Sequence, residues 1–153
     1  MARKRKKRER QNWNRFADNG RMLLIGAATF LPHRAAANRA RVGAGACLLA
    51  IKLITVALKK AVPECRPDGE DNKSFPSEHA AECVAAAMII EREYPGKIGA
   101  LAYGLAAAVS MARIESKKHY PRDVIAGALI GSGAFWLSLQ LRLAAERRML
   151  NAI

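Results

Sequence analysis

A chain of 153 residues is enough for one domain with a single core. Half of it is hydrophobic, and 26 Lys and Arg against 13 Asp and Glu leave a net charge of +13. Its three cysteines, Cys47, Cys65 and Cys83, form no CxxC pair and match no zinc spacing, which argues against a disulfide scaffold or a structural metal.

The near-zero mean hydropathy averages two unlike parts. Nine of the basic residues fall within residues 1–21, and much of the remainder is apolar. Such a charge could neutralise nucleic acid phosphates, attract anionic lipid headgroups or hold cytoplasmic ends inside. The apolar segments favour the last two, so anionic headgroups are the expected partner of the basic stretch and no nucleic acid is expected.

In chain order, residues 1–15 read as a mobile polybasic tail, and residues 16–153 as one membrane-embedded domain. Segment one, residues 16–31, contains Asp18 and Arg21. Its uncharged part has ten residues, short of the roughly 20 needed to span a bilayer. It is expected to lie in the interface as an amphipathic helix. Pro32-His33-Arg34 follows where a leader would show small residues, so no cleavable leader is expected.

Segment two, 42–58, is apolar except for Lys52. Segment three, 77–94, carries Glu82 and ends at the turn Tyr94-Pro95-Gly96. Segment four, 97–113, has Ala100, Gly104 and Ala108 four apart. Segment five, 121–143, carries Gly127-x3-Gly131. Small residues at this spacing let helices approach closely in lipid. All segments have helical length and none alternates like a strand. The expected fold is therefore all-α, an integral-membrane bundle of about four spans with segment one beside it. Lys52 and Glu82, ionisable within spans, are expected to pair with each other, or Lys52 to snorkel.

Four spans put the connections 59–79 and 113–121 on one face, and these hold the reactive residues. His119 is the candidate nucleophile, since a neutral imidazole can attack phosphorus. Asp123, four residues on, can accept the N–H of the other ring nitrogen. His79 is the candidate acid for the leaving oxygen. Lys59, Arg66 and Arg113 can hold phosphoryl oxygens, and Ser77 can donate its hydroxyl. No carboxylate cluster resembles a magnesium site, so no metal is expected.

The three patches Lys59-x6-Arg66-Pro67, Pro76-Ser77-Glu78-His79 and Arg113-x5-His119-x3-Asp123 resemble, in order and spacing, the type 2 phosphatidic acid phosphatase family. The family pattern has Gly at the position of Glu78 and Ser at that of Ala112. The resemblance implies that the backbone N–H of Glu78 serves the phosphate. It also implies hydrolysis of a lipid phosphate monoester or pyrophosphate through a phosphohistidine, without metal or cofactor. Phosphatidic acid, phosphatidylglycerol phosphate, undecaprenyl pyrophosphate and lipid A phosphate are all family-type substrates. The alternatives are a lipid phosphotransferase using the same site, a non-catalytic anionic-lipid binder and a nucleic-acid-binding protein driven by the basic tail.

Sidedness hangs on segment one. If it does not cross, residues 1–41 lie opposite the site, and the positive-inside rule puts the site on the periplasmic or extracellular face of a bacterial inner membrane, with the N-terminus cytoplasmic. If it crosses, the site is cytoplasmic. The short segment favours the first arrangement.

Overall fold

The computed structural model describes residues 1–31 and 37–151. The expected Pro32-His33-Arg34 interruption lies outside them. Five helices make up the described residues: α1 (Ala2–Phe30), α2 (Ala37–Ala61), α3 (Glu78–Glu93), α4 (Lys97–Glu115) and α5 (Pro121–Leu150).

Helix α3 is the axis of the bundle and touches each of the other four. Its composition explains this: Ala80, Ala81, Ala85, Ala86 and Ala87 are fully buried and let neighbours come close. Gly127 and Gly131 supply the other half of the α3–α5 contact. A Cβ at Gly127 would stand 2.2 Å from the carbonyl oxygen of Ser77, and one at Gly131 2.1 Å from that of Ala81. The stripe Ala100–Gly104–Ala108 is different, because a Cβ at Gly104 would meet nothing within 4 Å. The buried face of α4 is instead Gly99, Ala102, Ala106, Val109 and Ala112.

Among the described residues, three helices are long and apolar enough to cross a membrane: residues Ala40–Ala61 of α2, all of α4 and Pro121–Arg148 of α5. Their outward side chains, such as Leu49, Leu53, Leu101, Leu129 and Leu137, are exposed apolar groups suited to lipid. The expected fourth span is not among them. At 16 residues, α3 is about 24 Å long and falls short of the hydrocarbon thickness. It is enclosed by its neighbours rather than facing lipid.

Two further expectations are corrected. The basic stretch is helical from Ala2 and runs without a break into segment one. Moreover, α1 does not sit wholly opposite the reactive loops. Ala17, Leu24 and Ala28 bury against α3 and α4. Asn14 reaches Arg113 at one end of the bundle, while Tyr94 Oη donates to the Leu31 carbonyl at the other, 2.6 Å away. Residues 1–15 therefore belong to the end that carries the reactive loops.

Candidate active site

Two loops and three helix ends build the site. The loop between α2 and α3 folds back on itself through Ser74 N–H to Glu64 O (2.9 Å) and Arg66 N–H to Asp71 O (2.9 Å). It is tied to the α4–α5 loop by Asp68 N–H to Lys117 O (3.0 Å), and Ser77 N–H donates to Asp123 O at 2.9 Å. Ser77 is the N-cap of α3: its extended backbone stops the helix, and its side-chain oxygen accepts from Ala80 N–H. The N-terminal end of α3, with its positive dipole, thus points into the site.

His119 is 3% exposed. Its Nδ1 lies 2.7 Å from the carbonyl oxygen of Ser74, an acceptor, so Nδ1 carries the hydrogen and Nε2 the lone pair. Burial first, then the charges of Arg113 and Lys59, push its pKa down to about 2. The ring is therefore neutral throughout the ordinary pH range.

The expected bond from this ring to Asp123 is absent. The Asp123 carboxylate stands 3.8 Å from Nδ1, beyond hydrogen-bond range. Its Oδ2 instead accepts from Ser74 Oγ (2.5 Å) and Tyr120 N–H (2.9 Å). Asp123 acts one step removed: it fixes Ser74, and the carbonyl of Ser74 fixes the ring.

The cations converge from three elements. Lys59, in the last turn of α2, donates to the carbonyls of Pro76 (2.5 Å) and Lys73 (3.1 Å). Arg66 spends its Nε on Asp71 (2.7 Å), which orients the rest of its guanidinium. Arg113, 5% exposed, bonds Asn14 Oδ1 and has a buried Nε with no hydrogen-bond partner among the described residues.

His79, in the first turn of α3, bonds Asp18 through Nε2 at 2.8 Å. Asp18 Oδ1 is also 3.9 Å from Arg113. The polar face Asn14–Asp18–Arg21 of α1 therefore lies across the site, with Arg21 paired to Glu82 at 2.9 Å. Sequence reasoning missed Asn14, Asp18 and Ser74 as site neighbours. The spacing of 14, 18 and 21 on one helical face was the available signal. Further along α1, Arg3, Lys6, Lys7 and Arg10 face Asp68, Glu70 and Lys118 across a cleft of 860 Å³. Lys118 is already paired there, to Asp68 (2.9 Å) and Glu70.

Residues 40–147 match the family described as the PAP2 superfamily. The chain belongs to that superfamily. Within PAP2 proteins, a similar one is the lipid A 1-phosphatase of Porphyromonas gingivalis, 32% identical over 80 residues. That alignment takes in 48% of this chain and 18% of the relative, so the chain spans under a fifth of that protein's length. Among solved structures, Aquifex aeolicus LpxE superposes with a TM-score of 0.69 over 86% of this chain and 85% of that one. At 23% identity this is a likeness of fold.

The two departures from the PAP2 pattern now have surroundings. Glu78 puts its carboxylate 2.5 Å from Lys52 Nζ. The expected Lys52–Glu82 pair is not formed, because Glu82 is taken by Arg21. Ala112 is fully buried in the α4 core.

Proposed function

We propose that this PAP2 chain is a membrane-embedded lipid phosphatase that works through a phosphohistidine on Nε2 of His119. The observation that carries this is the 2.7 Å bond from His119 Nδ1 to the Ser74 carbonyl, which leaves Nε2 with a lone pair. Lys59, Arg66 and Arg113, the Ser77 hydroxyl and the Glu78 N–H hold the phosphoryl oxygens at the helix ends. The lipid chain lies against the apolar outer faces. Nε2 attacks phosphorus in line as the P–O bond to the lipid breaks, and His79 gives its proton to the departing oxygen. The ring gains positive charge, which the Asp123 carboxylate 3.8 Å away stabilises. Water, deprotonated by the now neutral His79, then attacks the phosphohistidine, the P–N bond breaks and phosphate leaves.

Among candidate substrates, the likeness to a lipid A 1-phosphatase makes a lipid A phosphate the first to test. The assay is phosphate release in detergent with EDTA, over a panel of lipid phosphates and pyrophosphates. Wild type releases phosphate and His119→Ala loses about 10⁴-fold or more in kcat. Equal release from both removes His119 as nucleophile. Product appearing only with an added lipid acceptor moves the assignment to a phosphotransferase.

We infer a sidedness opposite to the one expected from sequence. Residues 1–15 and the site-end positions 59–73 and 113–122 together carry sixteen Lys and Arg, and the other end of the bundle carries seven among the described residues. The positive-inside rule assigns the richer end to the cytoplasm. Cys65 reports on this directly, being exposed in the α2–α3 loop while Cys47 and Cys83 are buried. A membrane-impermeant maleimide labels Cys65 only after spheroplasts are opened. Labelling of intact spheroplasts places the site outside.

A further inference from the structure

We propose that Asp18 of α1 is a positioning residue for His79, holding the ring and favouring its protonated form for its work as general acid. This rests on the assignment of His79 as the acid.

An imidazole can protonate a leaving oxygen only if it carries the extra proton. The surroundings of His79 oppose that. Burial of the ring, whose side chain is only 14% exposed, and then the charges of Arg113 and Arg21 lower its pKa to about 4, a shift that Asp18 limits without reversing. The two carboxylates of its own helix nearest to it are engaged elsewhere: Glu78 with Lys52 at 2.5 Å and Glu82 with Arg21 at 2.9 Å. Among the described residues, Asp18 is the carboxylate that reaches the ring, 2.8 Å from Nε2. An opposite charge at that distance favours the imidazolium. With Nε2–H donated to Asp18, Nδ1–H is the proton that the leaving oxygen takes.

The short reach of an aspartate is made possible by Gly20. A Cβ there would stand 2.7 Å from Val109 Cγ2, so α1 lies closer to α4 than a side chain would allow. On the same helix, Asn14 bonds Arg113, the neighbour that most opposes protonation. The polar face of α1 thus completes the acid half of the site from a helix that carries none of the three signature patches.

The test uses two substrates in detergent: a long-chain alkyl phosphate, whose leaving group needs a proton, and p-nitrophenyl phosphate, whose leaving group does not. For Asp18→Asn, kcat on the alkyl phosphate falls about 10-fold or more, while KM stays within about two-fold and aryl phosphate turnover within about three-fold. The basic limb of the alkyl phosphate profile moves about one pH unit lower. Asp18→Glu recovers part of the loss. Gly20→Val, which pushes α1 outward, reproduces the substrate-selective loss.

A fall in KM with kcat intact would make Asp18 a competitor of the phosphate and overturn the proposal. An equal loss on both substrates would reduce it to a structural contact. His79→Ala separates the two levels. If His79→Ala loses the alkyl phosphate selectively while Asp18→Asn is silent, Asp18 alone is wrong. If His79→Ala spares the alkyl phosphate, the acid assignment fails and the role of Asp18 goes with it.

Discussion

His119 and His79 are the same side chain, largely buried at the same end of one bundle, yet their partners differ in kind. The nitrogen of His119 meets a neutral carbonyl, that of Ser74. The nitrogen of His79 meets a carboxylate, that of Asp18. A carbonyl selects a tautomer without contributing any charge towards a second proton, which suits the proposed nucleophile. A carboxylate favours the imidazolium and offsets part of the burial and arginine charge that lower this ring's pKa to about 4, which suits the proposed acid. In the proposed mechanism, two roles in one reaction are thus divided by the type of oxygen each ring faces. The carboxylate nearest His119 is held off at 3.8 Å by bonds to Ser74 and Tyr120.

The strongest way to break this contrast is to disturb the nucleophile's support. Asp123→Asn lowers kcat about 100-fold, on alkyl and aryl phosphates alike, because both need Nε2. Asp123→Ala also strips the acceptor from Ser74 Oγ and Tyr120 N–H, costing about 1–3 kcal/mol of stability in a detergent melt. A loss confined to the alkyl phosphate would show that Asp123 serves the acid instead.

A second consequence is thermodynamic. The unfolded chain's His119 takes up a proton below about pH 6.5, while the folded ring, its pKa depressed, does not. The unfolded state then binds more protons, so stability falls as pH drops, by up to about 1.4 kcal/mol per unit. The thermal midpoint therefore declines between roughly pH 6.5 and 5, and His119→Gln removes that ring's share of the slope, leaving the share of His79, whose pKa is also depressed. An unchanged slope would mean that the folded ring titrates normally.

The smallest effect is expected at Glu78. Its carboxylate is bound to Lys52, so restoring the family's glycine changes kcat by less than about three-fold. A large gain in phosphate affinity would show that the charge of Glu78 does reach the pocket.

The sequence made the reactive loops legible because their residues sit at fixed short spacings beside helices with clear ends. It also marked Gly127 and Gly131, whose spacing matched a real helix contact. The support of His119 was hidden, since a backbone carbonyl such as that of Ser74 has no residue type to betray it. The partner of Lys52 was ambiguous for another reason. Glu78 and Glu82 are four apart and share one helical face, so spacing alone could not choose between them. The placement of α1 was least visible. Asp18 and His79 are 61 positions apart, and a polar face that covers a site has the same pattern as one that meets water. The three candidate spans leave out α3, whose alanines are as apolar as a lipid-facing surface although they face other helices.

The contact at Gly127 and Gly131 bears on how this protein can change. Ser77, two residues before His79, meets α5 backbone to backbone, and α5 begins two residues after His119. The separation of the two reactive rings is therefore gauged by main-chain atoms, which no substitution elsewhere in the chain replaces. The exposed leucines of α2, α4 and α5 have no share in that gauge. They can drift to suit membranes of different thickness or composition while the spacing on which the chemistry depends stays the same.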